Sequence, residues 1–298
     1  MPHMSNDAVC VYCAGAVLIG LEPPEHALPA AIGGRLTTDA VCEPCNTWAG
    51  RHIDQPWLDD PFVGHARFMH RIPDRRGGVL EHDPLLAGTT AEGQQIRMDR
   101  DGRPVALNSV VQRDEAGGEV RIIAKDQADL DRLLAREAKK AAAAGRTVDV
   151  GEGPTTVVDA PHVEGRAKVV PGQWERMAAK ATLALLSTTQ DPGWRRSGSA
   201  DILRAVMLDL DRPAHAVRLM PTDDFEPFAA APASAIVVTP LRGRPTAIAS
   251  LLCNFSIAFE LEDDLAGVDI AWVCDPLDPD RSFTGSMGLV VGRRLGLI

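Results

Sequence analysis

The feature that most constrains this chain is a pair of cysteine knuckles near its start, Cys10-x-x-Cys13 and Cys42-x-x-Cys45. Each knuckle offers two thiolates from one tight turn, and zinc takes four such ligands in a tetrahedron. The 28 residues between Cys13 and Cys42 exceed what a minimal ribbon needs, so a further element is expected inside the clasp. Six cysteines in 298 residues is not disulfide density. Two C-x-x-C pairs in such a chain read as a structural Zn²⁺ site, the alternative being four ordinary buried cysteines that match the spacing by accident. A closed four-thiolate site has no open position, so this metal is expected to stabilise the fold and do no chemistry. Cys253 and Cys274 lie in apolar, strand-like runs and are expected in the core.

Composition narrows the function classes. A net charge of −10 argues against a surface that traps nucleic acid everywhere, although local arginines can still meet phosphate. One tyrosine and seven phenylalanines are too few for a large base-stacking surface. No long apolar run or signal segment is present, so no membrane partner and a cytoplasmic location are expected. Met1 to Met4 resemble a cloning remnant, and His3 is set aside.

Two consecutive domains are expected, 8–80 and 90–298, with the break between Pro73 and Glu92. The first carries a helix from Glu43 or Pro44 past Trp48 and a second from Pro61 to His70, stopped by Pro73. In the remainder, strands are expected at 96–98, 105–107, 110–113, 120–124, 148–158 and 167–170, with Asp101-Gly102 and Gly117-Gly118 as turns. Helices are expected at 127–144, 174–187 and 200–210. Further strands fall at 235–240, 246–261 and 268–274. The fold class is therefore α+β, with an antiparallel sheet in the larger second domain.

Between the knuckles run Leu21-Glu22-Pro23-Pro24-Glu25-His26-Ala27-Leu28-Pro29 and Gly33-Gly34, and Asn46 follows directly on Cys45. This order resembles the HNH endonuclease family, in the branch whose ββα-metal core is framed by zinc knuckles. The resemblance covers roughly residues 8 to 58. It implies a small N-terminal zinc-bound ββα-metal unit with His26 as general base and Glu25 and Asn46 as ligands of a catalytic divalent ion. Asp39 is the nearest counterpart of the family's middle position and would orient His26. The family's third ligand, one helical turn after Asn46, is replaced by Gly50, which favours weakly held Mg²⁺ or Mn²⁺. The chemistry suits such a set independently of the family. Phosphodiester hydrolysis needs a base for water and a cation for the developing charge, and histidine titrates near neutral pH.

Arg35, Arg51, Arg67 and Arg71 are candidate phosphate contacts, the last two spaced i, i+4 on one helix and extended by Arg75-Arg76. His52, His65 and His70 add titratable groups nearby. Asp54, Asp59 and Asp60 read as caps or solvated carboxylates, with a second metal site as the alternative, and Lys180 as a side chain snorkelling from an apolar helix. Lys139-Lys140, Arg195-Arg196 and Arg293-Arg294 read as solvated pairs, and Asp275 to Asp280 as a loop. The expected function is a divalent-metal-dependent endonuclease on DNA, in a setting such as anti-phage defence. The second domain would serve specificity, sensing of a small-molecule or protein regulator, or homo-oligomerisation. The competing readings are a zinc-knuckle DNA-binding or scaffold protein with a decayed site, and a ligand-gated effector.

Overall fold

The computed structural model describes residues 9–17, 24–74, 76–114, 119–147, 172–209, 217–220, 232–252, 255–278 and 282–286. Leu21 to Pro23, Arg75, Gly117-Gly118, the strands expected at 148–158 and 167–170, Cys253, Asp280 and Arg293-Arg294 lie outside them. The chain divides into two units, one of Met1–Val79 with Val169–Ile298 and one of Leu80–Lys168.

The N-terminal segment opens with the first knuckle and then forms a minimal hairpin. Strand β1 (Glu25–His26) pairs antiparallel with β2 (Thr37–Thr38), Glu25 facing Thr38 and His26 facing Thr37. Helix α1 (Glu43–Ala49) follows, with Pro44 in its first turn, where a missing N–H costs no hydrogen bond. It runs without interruption through a π-helical turn, Gly50–Asp54, into α2 (Gln55–Leu58). Asp60 caps α3 (Pro61–His70) by accepting from the Phe62 N–H, and Arg71 ends that helix at φ 56°.

The unit Leu80–Lys168 has two small antiparallel sheets and one helix. Strands β3 (Asp83–Thr89), β4 (Gln95–Met98) and β5 (Pro104–Ala106) form one sheet; β6 (Val110–Arg113) and β7 (Val120–Ile123) form the other. Helix α4 (Gln127–Ala143) is capped by Asp126. Among this unit's described residues, Ile96 and Leu133 are the buried hydrophobics. Charged contacts supplement that thin core. Glu137 meets Arg113 at 2.7 Å and Lys140 at 3.0 Å, and these cations hold its carboxyl down to about 2.

The C-terminal segment supplies the bulk of the other unit. It contains α5 (Gln173–Thr189), α6 (Gly198–Met207), β8 (Val217–Met220), β9 (Ser234–Leu241), β10 (Arg244–Leu251), β11 (Phe255–Glu260), β12 (Ile270–Cys274) and β13 (Phe283–Gly285). The six strands form one antiparallel sheet in the order β13-β12-β9-β10-β11-β8. The expected α+β class with an antiparallel sheet is observed. The run 246–261 is two strands and not one: β10 ends at Leu251, and Leu252 takes φ 51°.

The expected consecutive domains, 8–80 and 90–298, differ from this division. One continuous core joins Tyr12, Leu28, Ile53 and Trp57 of the N-terminal segment to Met177, Leu183 and Phe259 of the C-terminal segment. The N-terminal segment thus shares its core with the helix and sheet that return after Val169.

Candidate functional site

The two knuckles come together. The sulfurs of Cys10, Cys13, Cys42 and Cys45 all lie within 4.8 Å of one another, and Cys13 and Cys42 are 3.9 Å apart. Tetrahedral zinc with Zn–S near 2.3 Å wants sulfurs roughly 3.8 Å apart, so the donors fit the ion in number, type and spacing. The electrostatics agree. A hydrogen bond from Cys45 holds the Cys10 thiol down to about 4, well below the ordinary thiol range and against its burial. Burial pushes Cys42 up, and the hydrogen bond to Cys10 followed by burial pushes Cys45 up. A dication would be held by the four cysteines as thiolates, and its charge would favour their deprotonation.

The knuckle is braced from the far end of the sequence. Arg195 donates to the Val9 carbonyl at 3.4 Å, and Arg204 donates to the Val11 carbonyl at 2.9 Å. Arg195 is 5% exposed, so the solvated pair Arg195-Arg196 expected from the sequence is half wrong. Burial also pushes its guanidinium down from the ordinary value, against the pull of Asp39.

Hairpin and helix then enclose a cleft of about 370 Å³, lined by Glu25, His26, Glu43, Asn46, Gly50 and Asp54 with Pro24, Pro29, Ala30 and Thr47. Three of the residues singled out in the sequence therefore meet: Glu25 and His26 from β1, and Asn46 from the first turn of α1. The two glycines shape this arrangement. A Cβ on Gly34 would sit 1.9 Å from the Leu28 carbonyl oxygen, so only glycine lets the loop fold back under the hairpin. Gly33 holds φ 81°, and a Cβ there would sit 2.5 Å from Pro276. Gly50 is different, since a Cβ there meets nothing within 4 Å and opens onto the cleft.

Glu25 is 4% exposed and Lys180 is 0% exposed. The Lys180 ammonium lies 2.7 Å from Glu25 Oε1, 2.7 Å from Asp54 Oδ1 and 2.8 Å from the His26 carbonyl oxygen. All three of its hydrogens are used. The snorkelling expected of Lys180 is therefore corrected: a buried ammonium is tolerated here because two carboxylates and a carbonyl replace its water. Tyr12, fully buried, donates to Glu25 Oε1 at 3.4 Å, and burial keeps it a phenol well above its usual range. Burial is also the largest influence on Glu25 and pushes its carboxyl up, with Lys180 pulling the other way.

Three polar residues on one face of α5 make this support. Gln173, Lys180 and Ser187 are spaced by seven, close to two helical turns. Gln173 donates to the Ile53 carbonyl in the π turn at 2.7 Å, and Ser187 donates to Thr38 Oγ1 at 2.8 Å. Nothing local in the sequence signals this stripe, because its partners are more than 120 residues away for Lys180 and Ser187. The usable sign was a lone lysine in a helix otherwise buried all round.

The other candidates stand apart from the cleft. Arg35 is exposed and acts electrostatically on Cys274, whose thiol is buried, donates to the Gly33 carbonyl at 3.2 Å and is raised to about 11 by burial. Asp39 is exposed past the end of β2, within electrostatic reach of Arg195. Arg51 is exposed on the π turn. Arg67 is half-buried in α3, while Arg71 at φ 56° has left the helix, so the two do not share a helical face. None of the five lines the cleft. Asp59 accepts from Gln55 at 2.9 Å and Asp60 is a cap, as expected, whereas Asp54 is neither cap nor surface group but a partner of Lys180.

No helix among the described residues is long and apolar enough to cross a membrane. No family model, curated protein or solved structure matches the chain.

Proposed function

We propose that this protein is a divalent-metal-dependent endonuclease of the HNH type that hydrolyses DNA phosphodiester bonds, with a structural zinc on the four cysteines. The observation that carries the reading is the meeting of Glu25, His26 and Asn46 in one open cleft, on a hairpin and helix that the cysteine tetrad clasps. Composition alone offers no such convergence of a base with oxygen ligands.

In this reading His26 takes a proton from a water molecule as that water's oxygen attacks phosphorus. The bond from phosphorus to the leaving sugar oxygen breaks, and that oxygen takes a proton from solvent. Glu25 and Asn46 would hold Mg²⁺ or Mn²⁺, which supplies positive charge for the phosphate and leaving oxygen. Hard oxygen donors suit those ions better than zinc. The sulfur tetrad and the oxygen cleft thus select different metals.

Plasmid cleavage in Mg²⁺ or Mn²⁺ tests the proposal, with His26→Ala beside the wild type. Metal-dependent cutting that His26→Ala abolishes is the expected result. Cutting that survives the substitution would overturn the assignment. Absence of cutting in any metal would leave a zinc-knuckle scaffold as the better reading.

A further inference from the structure

The resemblance leaves the divalent ion one ligand short, because the position a turn after Asn46 is Gly50. The fold offers a replacement. Asp54 lies eight residues after Asn46. In an unbroken α-helix, eight residues overshoot two turns by about 80°, which would rotate Asp54 off the face carrying Asn46. Here the turn Gly50–Asp54 is π-helical, and its i→i+5 bonding takes up close to one extra residue. Asp54 therefore returns to the Asn46 face, and both line the cleft with Glu25.

Lys180 fixes the carboxylates as a pair. Its ammonium bonds Glu25 on Oε1 and Asp54 on Oδ1, each at 2.7 Å. Tyr12 also donates to Oε1 of Glu25. These bonds gather on Oε1 of Glu25 and Oδ1 of Asp54, and both residues line the cleft. Gln173 holds the Ile53 carbonyl and so fastens the π turn itself.

We propose that Asp54 is the third protein ligand of the divalent ion and that Lys180 is the residue that positions it against Glu25. The inference rests on the metal site proposed above and extends it to a residue from the C-terminal segment. Its consequence is that the ion site is incomplete without α5. The element between the knuckles is then not a portable module, although its motif is contiguous in sequence.

The test is direct Mn²⁺ binding to the full chain, read by calorimetry and by the loss of the free-ion paramagnetic resonance signal. Zinc content and melting temperature are recorded on each sample. Asp54→Asn should weaken Mn²⁺ at least ~10-fold while Asp59→Asn, an exposed carboxylate on the same stretch, leaves it unchanged. Lys180→Met should weaken it ~10- to 100-fold, the usual range for a residue that orients a ligand, with part of the loss recovered in Lys180→Arg. Asp54→Asn binding Mn²⁺ as tightly as wild type would overturn the proposal, whatever becomes of Lys180→Met. A Lys180→Met protein that melts lower yet binds Mn²⁺ normally would overturn the positioning role. The nuclease reading fails separately: DNA left uncut by a wild type whose Mn²⁺ binding depends on Asp54 sinks that reading and supports this one.

Discussion

The cysteine tetrad and the cleft are neighbours in sequence and opposites in chemistry. The tetrad gathers four sulfurs within 4.8 Å and leaves a metal no vacant position, whereas the cleft presents oxygens and an imidazole around about 370 Å³ of open space. One is finished by its own ligands. The other stays open, and its geometry depends on a buried lysine from α5. A closed site suits holding the chain, and an open one suits exchange of water and substrate. The contrast teaches that the motif's two halves are built differently: the frame gathers four sulfurs from two knuckles close in sequence, with Arg195 and Arg204 bracing the first, while the cleft takes its buried cation from α5.

Removing the frame should have the largest effect. Cys42→Ser with Cys45→Ser should abolish zinc binding and cost several kcal/mol, since metal binding here is folding free energy. Metal analysis and thermal denaturation check this, and full stability without zinc would erase the contrast. Next comes the site. If His26 is the general base proposed, His26→Ala should lower cleavage about 10²- to 10⁴-fold with zinc content unchanged.

Two glycines sharpen the comparison further. Gly34→Ala forces a Cβ to 1.9 Å from the Leu28 carbonyl and should destabilise by a few kcal/mol in denaturant unfolding. Gly50→Ala meets nothing within 4 Å and should be neutral or stabilise by up to ~1 kcal/mol through helix propensity. The smallest effect belongs to the rim. Arg51→Ala, an exposed arginine on the π turn, should weaken DNA binding modestly and lower the salt slope by about one.

Much of this was legible beforehand. The spacing of the cysteines gave the tetrad, and local propensity gave α3 and most of α4 and α5 to within a residue or two. The family resemblance singles out Glu25, His26 and Asn46, and the short hairpin and the start of α1 place all three on one cleft. The failures have two causes. Lys180 reads as snorkelling, Arg195 as solvated and Asp54 as a cap or solvated carboxylate, because the partners they meet in the fold are set by long-range packing. Arg67 and Arg71 were paired by helical spacing, which ignored the αL residue that ends the helix.

The sequence by itself determined the clasp, the order hairpin-then-helix and the close approach of Gly34 to Leu28, because each depends on residues near one another in the chain. Only the tertiary structure decided that the N-terminal segment shares its core with the segment after Val169, and that a π turn and Lys180 carry Asp54 into the cleft. The physical reason is that a buried charge can be placed only where its counter-charges already are, and in this protein those lie 126 and 155 residues away along the chain.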